Sequence, residues 1–264
     1  MLKTRIIPTV LCRRREQVKG NHFDSTRRIG NAMQACRVHN MRGVDELVLL
    51  EVGGGMIDLE TVNALASECF MPLAIGGGIR TLEDIHWLLG AGADKVIIRR
   101  AASYRNGALI SEASRKFGAQ AVVVSIDVLS GISLAASRPH HSGYGYVLEC
   151  EYKWTNPVLW AKEVERLGAG EILLQSVERD GTLSGYDLDL IAAVSHAVSI
   201  PVIASGGCGT YEHMAEALRA DAHAVAAGAL FAFTEATPQG AAKYLTEHGF
   251  SVRTDNVMTM QGKA

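Results

Sequence analysis

Two stretches of this chain have the composition of paired anion cradles. They are residues 71–85, MPLAIGGGIRTLEDI, and residues 200–214, IPVIASGGCGTYEHM. Pro72, Gly77, Gly78, Thr81 and Glu83 recur as Pro201, Gly206, Gly207, Thr210 and Glu212 at one constant offset. Each copy runs an apolar strand into a glycine pair and then into a capped helix. Glycines at a strand end leave backbone N–H groups bare, and the following helix adds the positive end of its dipole. Phosphate or a similar anion is the ligand such a turn suits.

A third chemical signal is Asp127, which ends the apolar run AVVVSID at 121–127. A carboxylate between apolar walls can have its pKa raised toward acid–base work. The competing reading is a carboxylate that only accepts loop N–H groups. The run RIIPTVL at 5–11 stands in the same phase, which sets Leu11 opposite Asp127. Residues 44–52, VDELVLLEV, likewise match 169–177, AGEILLQSV, with Glu46 opposite Glu171. The duplication therefore covers most of the chain, as if a half-length unit had been doubled.

These residues need a scaffold that brings many strand ends to one place. Strand-like runs end near Leu11, Glu51, Ile75, Ile98, Ile126, Ser176, Ser205 and Ala227, and helical segments separate them. The runs are continuously apolar, as strands buried on both faces are. Asn156 and Pro157 open one helix, Trp160, Val164 and Leu167 share its face, and Gly168 closes it. Thr81 with Asp84 has the form of a capping box. Eight strands and eight helices in one α/β chain predict a (β/α)8 TIM barrel with a two-fold half-barrel repeat. An open doubly wound sheet would show one glycine fingerprint near its first strand rather than one in each half. The predicted organisation is a single barrel over residues 1–252 and a flexible C-terminal tail over 253–264. Two segments break the rhythm: a basic loop at 12–28, and a stretch at 128–155 patterned as a small hairpin around RPHHSGYG. Both follow strand C-terminal ends, where barrel enzymes place their active sites.

With 264 residues, 48% hydrophobic content and a net charge of −2, the chain has a large core and no basic excess for nucleic acid or membrane. The start MLKTRIIP lacks the apolar core of a signal peptide, and no run is long enough to span a bilayer. Five cysteines without paired spacing read as reduced thiols, so a cytoplasmic location is expected. Gly206-Gly207-Cys208-Gly209 is near a G-x-C-x-G nucleophile elbow, but Thr210 stands where the second glycine belongs. His140 and His141 are adjacent in a Gly/Ser-rich loop, which is the setting of a solvated turn rather than a metal site. Arg13, Arg14 and Arg15 suit a small anion better than nucleic acid. No metal and no cofactor are expected.

The chain resembles the cyclase subunit of imidazole glycerol phosphate synthase, an enzyme of histidine biosynthesis, over about residues 3–252. The motifs that carry the likeness are RIIP (5–8), Lys19-Gly20, DELV (45–48), GGGIR (76–80), GADKV (92–96), SID (125–127), WAKEVERLGAGEILL (160–174), RDGTLSGYD (179–187) and IPVIASGG (200–207). The resemblance implies a separate glutaminase partner that makes ammonia at the barrel's N-terminal face. Ammonia then crosses the barrel to a phosphorylated substrate at the other end, where two aspartates act as acid and base. Asp127 matches one of them. The other position is Leu11, which cannot carry a proton, and Cys12 beside it should face the opposite way. Losing one of such a pair typically costs about two to four orders of magnitude in rate, so ordinary cyclase chemistry is in question.

The resemblance also implies two phosphate sites. Lys19, Gly78, Arg99 and Arg100 fall at anion-binding positions, although the family usually has Asn-Thr where Arg99 and Arg100 stand. Gly181, Gly207, Gly228 and Ala229 match the second site, with Ala229 in place of a serine. Arg5, Glu46, Lys95 and Glu171 match the charged gate of the ammonia passage, and Asp45 and Asp94 beside it would suit a docking face. Leu11 and the GALFAF segment at 228–233 resemble a divergent branch found in surface-polysaccharide gene clusters. That branch implies a third, ammonia-accepting protein. Three readings stay open: a barrel that uses or forwards ammonia, a non-catalytic barrel that activates the glutaminase and conducts ammonia, and an active histidine-pathway cyclase.

Overall fold

A computed structural model of the chain describes residues 3–103, 107–129, 132–133 and 156–253. Eight parallel strands close into a barrel. They are β1 (Arg5–Arg13), β4 (Leu47–Glu51), β5 (Leu73–Gly76), β6 (Lys95–Ile98), β7 (Val122–Leu129), β9 (Glu171–Ser176), β10 (Val202–Ser205) and β11 (Ala224–Ala227). β11 pairs back onto β1 in parallel, Arg5 to Ala224 and Ile7 to Ala226, which completes the circle. Closure leaves the barrel without an edge strand. The expected (β/α)8 barrel is therefore the fold. Among the described residues no helix is long and apolar enough to cross a membrane.

The helices that cover the barrel are α1 (Ala32–Met41), α2 (Leu59–Glu68), α3 (Leu82–Gly90), α4 (Ala108–Phe117), α5 (Pro157–Arg166), α6 (Leu188–Ser195), α7 (Tyr211–Arg219) and α9 (Pro238–Glu247), with a short α8 (Ala229–Phe233) before the last. Their starts are written locally. Thr81 and Asp84 form the reciprocal capping box on α3, and Asn156 caps α5 ahead of Pro157. The strands alternate between two cores. On β7, Val122, Val124 and Ile126 face the helices, while Val123 belongs to an inner cluster with Ile7, Val48, Ile97, Leu173 and Ile203. Both faces are dry, hence the unbroken apolar runs.

The structure differs from the sequence expectation in the first long loop. Residues 16–31 form a hairpin, β2 (Glu16–Asn21) and β3 (Asp24–Asn31), and β2 pairs antiparallel with the end of β1. The extra backbone partner carries β1 on to Arg13, past the expected end at Leu11. Polar outward positions hid this hairpin in the sequence, because only Val18 on β2 is buried in the apolar core. A two-residue strand, β8 (Ile132–Ser133), pairs with the end of β7. The rest of the expected hairpin, with His140 and His141, lies outside the described residues, as does the expected tail beyond residue 253.

The duplicated glycine turns are duplicated in backbone geometry as well. Gly77 and Gly206 have φ of 104° and 90°, and a Cβ on either would stand 2.1 Å from Glu51 O or 2.4 Å from Ser176 O respectively. Gly78 and Gly207 pack as closely, against Gly55 and Gly185. A side chain at these positions meets rigid backbone in a conformation that only glycine adopts freely. Gly77→Ala should therefore cost at least about 2 kcal/mol of stability. Gly55→Ala, where a Cβ would meet nothing within 4 Å, should stay within about 0.5 kcal/mol of wild type. Urea midpoints of the two variants check this.

Candidate functional site

Side chains that point into the barrel come in layers, two residues apart along each strand. At the floor, where the strands begin, Arg5, Lys95 and Glu171 open β1, β6 and β9, and Glu46 immediately precedes β4. They form one closed ring of alternating charge. Arg5 Nη1 donates to Glu46 Oε2 at 2.6 Å and to the Glu171 carboxylate at 3.1 Å. Lys95 Nζ donates to Glu46 Oε2 at 2.8 Å and to Glu171 Oε1 at 3.1 Å. Two positive and two negative groups cancel, which makes the ring tolerable at this depth. Burial opposes the Arg5 charge, but Glu171 and Glu46 outweigh it and hold the guanidinium's pKa above its ordinary value. Glu46 is 2% exposed, and its Oε1 has no hydrogen-bond partner among the described residues.

Above the ring lies the aliphatic layer of Ile7, Val48, Ile97 and Leu173. Two residues further along β1 is Thr9, whose Oγ1 is a second buried polar atom without a partner among the described residues. The barrel axis thus offers a neutral charged ring, an aliphatic middle and isolated acceptors on either side of it.

At the mouth, where the strands end, Asp127 sits on β7 in register with Gln175 of β9. Its carboxylate accepts from Ser125 Oγ at 2.9 Å through Oδ1 and from Arg99 Nη1 at 2.9 Å through Oδ2. The Asp127 side chain is 6% exposed and that of Arg99 is 47% exposed. The two-fold partner of Asp127 is Leu11, paired in register with Leu50 on β4. Cys12 faces the outer core, as its position along β1 requires, and burial drives its thiol pKa upward.

The glycines of the second half converge. A Cβ on Gly181 would stand 2.6 Å from Gly20 O, and one on Gly228 would stand 3.7 Å from Lys19 Nζ. Gly228 and Ala229 begin α8. Lys19, carried by the hairpin after β1, therefore reaches the second-half glycines, where its ammonium pairs with Asp180 Oδ1 at 3.1 Å. Both side chains are nearly buried. Gly78 lies in the equivalent first-half turn after β5, Arg99 directly follows β6, and Arg100 is exposed at the start of a 3-10 turn over 100–102. Asp180, Ser125 and Gln175 were not singled out by sequence reasoning. Polar residues at inward positions near strand ends were the signal for the last two, and the RDG motif was the signal for Asp180.

One sequence suggestion changes in the structure. Asp45 is buried and accepts the Ile6 N–H at 3.1 Å, so it closes the floor rather than presenting a docking charge. Asp94 accepts the Leu73 N–H at 2.8 Å but stays exposed. Cys208 is buried, and burial pushes its thiol to about 12, which leaves no nucleophile in the glycine turn. The floor also carries exposed apolar surface. Phe70, 93% exposed, and Met41, 72% exposed, are joined through Asn40, which accepts the Phe70 N–H and donates to Glu68 O.

Against known proteins, the family described as histidine biosynthesis protein matches residues 5–237. A Campylobacter jejuni protein carrying the name "Putative imidazole glycerol phosphate synthase subunit hisF2" is 41% identical over 256 residues. That alignment covers 96% of this chain and 99% of the relative.

The Lys19–Asp180 pair gives the site its own test. Lys19→Met strands a nearly buried carboxylate and should cost about 3 kcal/mol. Adding Asp180→Asn removes the stranded charge and should restore at least half of that loss in urea denaturation. A Lys19→Met midpoint equal to that of wild type would show the pair to be of no energetic consequence.

Proposed function

The chain belongs to the histidine biosynthesis protein family as a cyclase-subunit-like barrel, and on that premise we propose that it receives ammonia from a separate glutaminase subunit and uses or forwards it at its mouth. The observation that carries this reading is the closed, neutral ring of Arg5, Glu46, Lys95 and Glu171 at the floor. A cation entering the ring would unbalance it in a dry setting, whereas neutral ammonia donates a hydrogen bond without adding charge. Glu46 Oε1 is an acceptor with no partner among the described residues. Beyond it, the aliphatic layer repels charged solutes and passes small neutral ones, and Thr9 Oγ1 offers the next acceptor. The glutaminase docks on the floor, and Met41 and Phe70 supply the apolar part of its interface.

At the mouth, Lys19 with Gly181, Gly207, Gly228 and Ala229 holds a phosphoryl or similar anionic group of the acceptor. Backbone N–H groups at bare glycines and one ammonium provide the donors. Asp127 is the one family aspartate retained. With Leu11 in the partner position and Arg99 on its carboxylate, it cannot share acid and base work with a second group. Histidine-type ring closure should therefore be poor, and delivery to a phosphorylated or sugar acceptor on a third protein fits the site better. A barrel that only activates the glutaminase and conducts ammonia is the second reading, favoured by the same Arg99–Asp127 contact.

Co-elution with a glutaminase subunit, as a 1:1 complex with stimulated glutamine hydrolysis, is the expected result. Separate peaks without stimulation would remove the proposal. In the complex, Lys95→Ala breaks the ring and should lower the ratio of acceptor product to glutamate, because ammonia escapes. An unchanged ratio in folded protein would reduce the ring to a structural feature.

The mouth yields a second test. The purified chain should turn over the histidine-pathway substrate with ammonium only slightly, and Leu11→Asp should raise that rate by about a hundredfold, the lower range for an acid–base group. Normal wild-type turnover would contradict the assignment of Leu11 as the deficit.

A further inference from the structure

The two halves of the repeat place different pairs of residues at one level of the mouth. In the first half Leu11 of β1 lies in register with Leu50 of β4, and in the second half Asp127 of β7 lies in register with Gln175 of β9. Gln175 is the counterpart of Leu50, as Asp127 is of Leu11. It points inward, because Leu173 two residues before it belongs to the inner cluster, while Ile172 and Leu174 belong to the outer core. Gln175 is 9% exposed, and its amide makes no hydrogen bond among the described residues. We propose that Gln175 is a specificity-determining residue, whose amide exchanges hydrogen bonds with a hydroxyl or carboxamide of the phosphorylated ligand held at the second-half glycines.

The side chain stands between the carboxylate and the glycine turn. On one side β9 pairs with β7 at Asp127, and on the other it pairs with β10, where Ser205 is in register with Gln175. Gly206 follows directly, and a Cβ there would stand 3.0 Å from Gln175 Nε2. The charged groups nearby have partners of their own: Asp127 accepts from Ser125 and Arg99, and Lys19 pairs with Asp180. None of them engages the amide. A primary amide carries two N–H donors and an acceptor oxygen but no charge. It is therefore matched by a neutral group that also donates and accepts, and it does not select an ion. An amide kept dry without a partner costs stability, and Leu50 shows that the same level of the barrel accommodates a leucine. A ligand partner accounts for an amide retained at that cost. The opposite wall points the same way. Leu11 and Leu50 lie four strands away around the barrel and are half-buried, and Leu50 packs on the inner cluster. That wall offers no side-chain hydrogen bond, so the polar edge of the ligand turns toward β7 and β9.

This role of Gln175 rests on the second-half anion site proposed above, and it is tested on the whole chain without any glutaminase. Isothermal titration calorimetry compares inorganic phosphate with ribose 5-phosphate, which adds hydroxyls to the same phosphoryl group. Wild type should bind ribose 5-phosphate at least about tenfold more tightly, because a site built to hydrogen-bond a hydroxyl discriminates against a probe without one. Gln175→Leu copies the residue of the other half. It should bring ribose 5-phosphate down to the affinity of phosphate and leave phosphate itself unchanged. Gln175→Met, unbranched like glutamine but without the amide, should do the same. Both variants should raise the urea midpoint, since each removes a buried amide that lacks a partner. A glutamine that only supported the fold would instead lower the midpoint when replaced and weaken both probes together. That result, equal affinities of the two probes for wild type, or a tenfold preference surviving in a folded variant would each overturn the proposal. No phosphate binding by wild type would remove the anion site and this role with it, whereas equal affinities would remove this role alone. The two failures are thus distinguishable.

Discussion

Closure of β11 on β1 is the constraint on which the remaining features depend. A closed parallel barrel leaves each strand two faces and no edge, so inward and outward positions alternate without slippage. Arg5, Ile7, Thr9 and Leu11 therefore form a single column from floor to mouth. Lys95, Ile97 and Arg99 form another at β6, and Glu171, Leu173 and Gln175 a third at β9. Floor, middle and mouth are each assembled from equivalent steps of several columns. One shift of register in any strand would carry its charged residue out of the ring and its aliphatic residue out of the middle.

Electrostatic neutrality is achieved locally at both ends, and by different means. The floor balances two cations against two carboxylates drawn from four strands in both halves of the chain. The mouth uses separate pairs, Lys19 with Asp180 and Arg99 with Asp127. Each cation approaches its carboxylate from another element, so each pair also ties a loop to a strand. The ring has no spare cation, and loss of any member leaves an uncompensated charge at depth. The mouth is more forgiving, because Arg99 is half exposed and solvent can screen it.

The two-fold history of the chain survives most clearly in the backbone. Gly77 and Gly206 meet the same carbonyl from the preceding strand end, and Gly78 and Gly207 meet the same turn of the following loop. Side chains have diverged where the backbone has not. Leu11 against Asp127 and Arg99 against Gly228 are two such differences at the mouth, and Arg5 against Ala121 and Lys95 against Ala224 are two at the floor.

Much of this was legible in the sequence. Continuous apolar runs ending in glycine pairs, each followed by a capped helix, already required buried parallel strands, and their number and duplication required a barrel. The strand ends at Glu51, Ile98, Ser176, Ser205 and Ala227 could be read from local pattern, since hydrophobic period and turn glycines are local properties. The phase of the repeat that sets Leu11 opposite Asp127 was visible for the same reason. Three things were decided only by tertiary structure. Lys19 belongs by sequence to the first half, but its hairpin folds across the mouth to Asp180 and the second-half glycines. Arg99 and Asp127 are neighbours only because β6 and β7 lie side by side. Asp45, two residues before a strand and apparently free, is claimed by the Ile6 N–H. In each case the partner is far away along the chain, and a pairing set by strand order and burial leaves no mark in the local pattern of residues.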